Sequence, residues 1–391
     1  METIDGEHFI LKKKQEYTVT MSDEDINEKY KKGEIRIVTE QARYPIKSIK
    51  SMLDSGDYNL NPEYQRRKRW DNGRKSRLIE SFIMNVPLPP IFLYEYDYSK
   101  FEVMDGLQRL TSIYDFYSGN FVLEGLEYWK ELNGKKYQEL PIEIQKGIDR
   151  RYISSIVLLE ETAKTPEEAE KLKQIVFERL NSGGEKLKPQ ETRNALYNGA
   201  FNQLCLKLSQ NDSFRKMWNI PLESDGEEAL LTSEAYRKMD DVQLVLRFFA
   251  YRFLDKLSGS IEDFLDEYLR QANDFPESTL LQLEDLFIDT IDVIYTVFGE
   301  DAFLPPVYER KVNKPQKTIY DPLMQSVAKN ITRKDLFLEK SLEINENKYI
   351  FKEGSIRNFN GKSFFEGRNN TPTIVKERIT YFDELFDKYA V

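Results

Sequence analysis

The chain has 391 residues, and its 40% apolar content with 24 Phe and 23 Tyr excludes a chain that is disordered as a whole. Its one His (His8) and one Cys (Cys205) exclude Cys/His zinc sites, disulfides within the chain, a Cys–His catalytic pair and an HNH nuclease core. No apolar run approaches membrane-spanning length and the start lacks a secretory signal, so we expect a cytoplasmic protein with no membrane partner.

The chain opens with a predicted polar tail, residues 1–40, which we expect to be mobile or to dock elsewhere. An α+β domain is predicted over residues 41–188. Its first half alternates helix and strand signals, and Pro87, Pro89 and Pro90 end the second helix. These elements are a short helix at 46–54, a helix at 74–85, and two strands, 91–96 and 101–104, in a hairpin.

The next predicted helix follows Asp105-Gly106 and ends at Gly119. Its apolar stripe is read as Leu110, Ile113, Tyr114 and Tyr117. A buried strand is predicted at 153–159. A further helix starts with Thr165 as N-cap and Glu168 at the third helical position, and runs to about Leu180.

The remainder reads as helical. A helical domain is predicted over residues 189–300 and a C-terminal extension with a terminal helix over 301–391. The fold class is therefore α+β followed by an α-helical region. Cys205 lies on an apolar helical face, where a buried small hydrophobic residue is expected. The predicted helices are 190–198, 201–209, 238–255, 261–270, 279–298 and 373–388.

The segment from Asp105 to Arg109, DGLQR, joins a strand to a helix N-terminus, a place that readily accepts phosphate. We assign three catalytic candidates to it. Asp105 would act as a base or metal ligand, and Gln108 would orient a water. Arg109 would bind phosphate bidentately, through two N–H groups of its guanidinium. The alternative is structural: an Asp cap, a Gly turn and a solvated Arg.

Residues 61–80 are basic within an acidic chain. They carry a net charge of +4. By contrast, residues 201–300 carry a net charge of −11, and the whole chain carries −10. Cations interleaved with aromatic residues suit DNA binding, and the alternative is an exposed basic loop whose Trp70 belongs to the core. The DNA-binding candidates are Arg67, Lys68, Arg69, Trp70, Arg74 and Lys75.

Four segments together resemble the GmrSD restriction endonuclease N-terminal-domain family over about residues 44–270. They are NPEYQRRKRWDNGRKSRLIESFIMNVPLPPIFLYE, MDGLQRLTSI, FERLNSGGEKLKPQETRNALYNG and RKMDDVQLVLRFFA. The resemblance implies a ParB/sulfiredoxin-like α+β domain followed by helices. It also implies binding and hydrolysis of nucleoside triphosphates and anti-phage defence against modified DNA, commonly with an attached HNH nuclease domain.

By resemblance, the nucleotide-binding or phosphate-binding residues come from three motifs. Leu107 departs from the family, which usually has Gln there, so binding is better supported than hydrolysis. No HNH domain is expected, because His8 cannot replace one. The residues carried over are Tyr64, Gln65, Arg66, Gly106, Arg109, Asn181, Gly183 and Gly184.

The predicted function is a nucleotide-dependent, DNA-interacting defence protein that uses a nucleoside triphosphate and Mg²⁺, with no dedicated metal site. Nuclease chemistry would come from a separate subunit or from a metal held by carboxylates such as Asp105. Two alternatives stay open: a DNA glycosylase that excises a modified base, and a regulator that binds DNA or protein without chemistry. The sequence leaves open the nucleotide, the DNA modification, the partner and the oligomeric state.

Overall fold

The computed structural model describes residues 3–11, 21–32, 39–60, 67, 70–159, 165–180, 188–306, 314–349, 364–365 and 371–389. The chain divides into two compact units. The mixed unit is Gln15–Leu187, and the helical unit combines Met1–Lys14 with Lys188–Val391.

The mixed unit is built on a five-stranded sheet in the order β1-β5-β3-β4-β2. The pairs β1–β5 and β3–β4 are antiparallel, and the pairs β5–β3 and β4–β2 are parallel. The hairpin of β3 and β4 predicted from the sequence is confirmed, with Leu93 opposite Val103. The strands are β1 (Thr39–Pro45), β2 (Tyr58–Asn59), β3 (Ile91–Asp97), β4 (Lys100–Asp105) and β5 (Tyr152–Leu158).

Helices cover both faces of this sheet. Alternate residues of β3, Ile91 and Leu93, are buried in the core on one face, where they share a cluster with Leu110 and Ile113. On the other face, Lys173 pairs with Glu102 of β4. The helices of the unit are α1 (Asp23–Lys32), α2 (Ile49–Asp54), α3 (Asn72–Met84), α4 (Leu107–Tyr117), α5 (Ile142–Asp149) and α6 (Pro166–Leu180).

Local signals predicted several of these elements correctly. The Thr165 hydroxyl accepts the backbone N–H of Glu168 at 3.2 Å, which confirms the N-cap of α6. The mixed sheet with its helices bears out the α+β class. Among the strands and α-helices described for this unit, four were not predicted, namely β1, β2, α1 and α5.

The first helix of the helical unit is α7, which begins immediately after Lys188. Within it, Cys205 is fully buried as predicted, and burial raises the pKa of its thiol. The helices are α7 (Pro189–Leu196), α8 (Ala200–Leu208), α9 (Asp212–Met217), α10 (Glu227–Thr232), α11 (Glu234–Arg237), α12 (Asp240–Ala250), α13 (Ile261–Ala272), α14 (Glu277–Phe298), α15 (Lys317–Lys329), α16 (Lys334–Glu339), α17 (Ser341–Asn347) and α18 (Pro372–Tyr389).

The N-terminal residues of the chain pack within the helical unit. The Phe9 ring is buried edge-on against Phe264 and Tyr268, with ring centroids 5.3 and 5.4 Å away. The Glu7 carboxylate is 2.7 Å from the Arg252 guanidinium. Apolar burial and a charge pair thus fix this segment in the unit.

A buried ion pair joins α12 to α15. Arg247 donates from Nε and Nη2 to the Asp321 carboxylate at 2.6–2.8 Å, and its guanidinium lies 4.3 Å from the Tyr251 ring centroid. Burial acts to lower the pKa of Arg247, but the charge of Asp321, its hydrogen bonds with Arg247 and the neighbouring tyrosines together raise that pKa. Removing one partner would leave an uncompensated buried charge.

We expect Arg247→Met to lower the free energy of unfolding by about 3–5 kcal/mol, because Asp321 would stay buried without its partner. Urea unfolding of the full chain measures it. The control is Arg333→Met, which removes a pair with the exposed Asp387 (2.7 Å) and should cost far less because solvent screens that pair. Equal losses in the two variants would contradict this account of the buried pair.

Candidate functional site

The DGLQR segment forms the joint between β4 and α4. Gly106 is the N-cap of α4 and adopts φ +94°, a left-handed conformation that disfavours other residues. A Cβ on Gly106 would lie 2.4 Å from Cγ2 of Ile91. Both the backbone angle and the contact with β3 therefore require glycine here.

Asp105 and Arg109 pair with each other across this joint. Arg109 Nη2 lies 2.8 Å from Asp105 Oδ2 and 3.2 Å from the Pro90 carbonyl oxygen, and Nη1 donates to the Pro89 carbonyl. Burial lowers the pKa of Arg109, and the Asp105 carboxylate opposes that shift. In this arrangement the guanidinium ties α4 to the chain that leads into β3.

Gln108 points to a different neighbour. Its Oε1 accepts the backbone N–H of Trp70 at 3.0 Å, while its Nε2 makes no hydrogen bond with the residues that the structure describes. The amide nitrogen is therefore available as a donor. Gln108 lies on the polar face of α4, together with Thr111 and Asp115, three and seven residues later.

That face lines a pocket of about 300 Å³. Lys75 lies in its wall, 2.8 Å from the Asp115 carboxylate and 5.4 Å from the Phe121 ring centroid. Lys75 and Gln108 supply hydrogen-bond donors, and two carboxylates supply acceptors. The lining residues are Leu53, Asp54, Leu60, Lys75, Gln108, Thr111, Tyr114 and Asp115.

The pocket corrects one sequence interpretation. Tyr114 was placed in the apolar core stripe of its helix, but it is half-buried and lines the pocket, with the Lys50 ammonium 5.2 Å from its ring centroid. Tyr117, in the same predicted stripe, packs against the core as expected, and it also donates its hydroxyl to Asp149 at 2.8 Å. Both tyrosines fit the apolar helical period, but each also has a polar hydroxyl, which the period of apolar residues does not take into account.

The DNA-binding candidates that the structure describes occupy different environments. Arg67 is buried, and Trp70 packs against the core of the mixed unit. Lys75 lies in the pocket wall and pairs with Asp115, whereas the side chain of Arg74 is 59% exposed. Tyr64, Gln65, Arg66, Lys68, Arg69, Asn181, Gly183 and Gly184 lie outside the described residues.

Sequence reasoning missed three polar pocket residues, Asp54, Thr111 and Asp115. For Thr111 and Asp115 the signal was available, because they recur with Gln108 along one face of α4. Asp54 comes from α2, and its pKa is lowered by its hydrogen bond from Lys50. Nothing local in the sequence joins Asp54 to α4.

The residues that the structure describes were also compared with the requirements of a metal site and of a membrane-spanning helix. Among these residues, no group of three or more His, Cys, Asp or Glu side chains is placed to hold a metal ion. The helices that they form also include none that is long and apolar enough to cross a membrane.

Residues 49–198 match the family model for the GmrSD restriction endonuclease, N-terminal domain. This part of the chain is a GmrSD N-terminal domain. The match contains every residue that lines the pocket, as well as the DGLQR segment, and stops before the 237–250 segment included in the resemblance. This family match points to a role in a restriction system that acts on DNA.

No curated protein and no solved structure shows significant similarity to the chain. The ParB/sulfiredoxin-like identity of the GmrSD domain therefore stays a prediction.

We expect Gly106→Ala to lower the free energy of unfolding by about 1–3 kcal/mol or more, because it adds left-handed strain and the contact with Ile91. Thermal unfolding of the full chain measures it. Gly125→Ala is the matched control, since Gly125 also has a positive φ (+65°) but faces open space. If the two variants lose the same stability, the contact with Ile91 contributes nothing.

Proposed function

We propose that the GmrSD domain binds a nucleoside triphosphate in the pocket beside DGLQR, and that the protein acts on DNA in a restriction system according to the nucleotide bound. The observation that carries the proposal is that two hydrogen-bond donors, Lys75 Nζ and Gln108 Nε2, belong to residues that line the same pocket within the matched domain. A phosphate oxygen accepts hydrogen bonds from both kinds of donor.

The size of the pocket suits one part of a nucleotide. At about 300 Å³ it lies at the lower end of small-molecule sites, so a nucleotide would extend beyond it. The apolar part of the wall comes from Leu53 and Leu60, and Leu60 lies four residues before Tyr64, the first residue of the Tyr64-Gln65-Arg66 motif. The proposal assigns the remaining contacts to that motif.

The proposed roles within DGLQR differ from residue to residue. Gln108 would contact the ligand. Arg109 and Asp105 would position α4, because each is the other's ion-pair partner and Arg109 also binds two proline carbonyls. Arg109 would then support nucleotide binding through the fold of the joint.

Mg²⁺ fits the carboxylates of the pocket. In proteins it is commonly held by one or two carboxylates together with phosphate oxygens, and Asp54 and Asp115 are the candidates here. Asp115 is also the partner of Lys75. A bound phosphate would compete with Asp115 for the Lys75 ammonium.

The DNA surface is proposed on the exposed side of α3. Arg74 and Arg77 are exposed there, three residues apart and therefore neighbours on the helix. The net charge of −10 does not prevent this, because charges beyond about 8 Å are largely screened at physiological salt. Mass analysis of DNA incubated with the protein would distinguish strand cleavage, base excision and binding without chemistry.

We expect Lys75→Met to weaken nucleotide binding by roughly 10–150-fold, the value of one charge-assisted hydrogen bond. In the absence of Mg²⁺, Asp115→Asn should preserve or tighten binding, because it removes the carboxylate that competes with phosphate for Lys75. Calorimetry with the four ribonucleoside triphosphates measures both, and Arg74→Ala is the control from the adjacent position. Wild-type affinity in a folded Lys75→Met variant would rule out this pocket as the phosphate site.

We expect the double variant Arg74→Ala/Arg77→Ala to flatten the plot of log K against log salt for duplex DNA by nearly two units, at about 0.9 per phosphate contact. The control is Lys100→Ala/Lys146→Ala, which removes two exposed lysines from the same unit. Fluorescence anisotropy at several salt concentrations gives both slopes. If the arginine variant keeps the wild-type slope, DNA does not bind this side of α3.

A further inference from the structure

An exposed aromatic pair stands on an irregular segment of the mixed unit, between α4 and α5. The side chains of Tyr128 and Trp129 are adjacent in sequence and 71% and 37% exposed. We name this pair the aromatic ledge. Contiguous exposed aromatic surface marks a binding site more often than a single exposed residue does.

The backbone of the ledge is held by one buried carboxylate. Glu80 of α3 is 3% exposed, and its Oε1 accepts the backbone N–H groups of Tyr128 and Trp129 at 2.8 and 2.9 Å. Its Oε2 accepts the N–H of Glu127 at 3.3 Å. One side chain thus fixes three consecutive residues.

Two further contacts anchor the same segment. The Ser76 hydroxyl, one turn before Glu80, accepts the N–H of Glu124 at 2.9 Å. Leu126 and Leu132 are buried on either side of the ledge. The apolar anchors alone would tie down the segment, whereas the buried carboxylate, which is costly to desolvate, sets the conformation of the ledge itself.

Charges of both signs flank the ledge, because exposed Glu127 precedes it and exposed Glu131 follows Lys130, beside two exposed cations. Lys130 follows Trp129 directly and is exposed, and Arg77 lies one turn before Glu80 on α3 and is exposed as well. Exposed aromatic rings beside cations are the combination that binds unpaired bases, since rings stack on bases and cations contact phosphates.

We propose that the aromatic ledge stacks on an unpaired base of DNA, so that Tyr128 and Trp129 recognise a base that has left the duplex. The inference rests on the proposed DNA function, which it deepens by naming the form of DNA that is bound. It does not depend on the nucleotide pocket.

The test measures binding of the full chain, with and without nucleoside triphosphate, to two DNA duplexes that differ only in one unpaired 2-aminopurine. Trp129→Ala and Tyr128→Ala should weaken binding to the unpaired probe by roughly 5–150-fold each and leave the fully paired duplex unchanged. Stacking on wild type should also quench the 2-aminopurine fluorescence. Trp129→Phe, which keeps a ring, should retain most of the binding.

Tyr98→Ala is the matched control, because Tyr98 is 91% exposed at the β3–β4 turn of the same unit, and it should bind both probes like wild type. Glu80→Gln keeps both rings but weakens the acceptor that fixes them, and should reduce binding to the unpaired probe alone. Thermal unfolding verifies that each variant is folded.

Ledge variants that are folded and bind both probes within twofold of wild type would overturn the proposal, and so would equal losses on both probes. Failure of wild type to bind either duplex, both with and without nucleoside triphosphate, would instead reject the DNA function on which it rests. The two failures are therefore distinguishable.

Discussion

The joint at Gly106 is the constraint on which the mixed unit depends. A left-handed residue there turns the chain from β4 into α4, and only glycine fits against Ile91. Arg109 then fixes the direction of α4 through Asp105 and the carbonyls of Pro89 and Pro90. Since the apolar side of α4 fills the core and its polar side lines the pocket, the same joint sets the geometry of both.

The roles within DGLQR follow from this geometry. A sequence motif with an Arg and an Asp beside a helix N-terminus is typical of phosphate binding. In the structure, those two side chains neutralise each other, and the neighbouring Gln108 faces the pocket. Under the proposed function, the motif would thus combine residues that hold the site in place with a residue that contacts the ligand.

Elements with strong local signals were predictable from the sequence, as the β3–β4 hairpin, α4 and the Thr165 cap show. β1 was not, because it is a polar edge strand whose burial does not alternate and whose partner β5 is more than a hundred residues away. The position of DGLQR at the joint was predicted. The Lys75–Asp115 pair and the binding of Arg109 to two proline carbonyls were not, because both depend on contacts between residues distant in sequence.

Within less than two turns, α3 carries residues with different roles. Lys75 lies in the pocket wall, Arg74 and Arg77 face solvent, and Glu80 holds the ledge. Each residue of an α-helix advances the direction of its side chain by about 100°. One residue inserted after Arg74 would therefore rotate every later side chain away from its partner, so the spacing within this helix is as constrained as the identity of its residues.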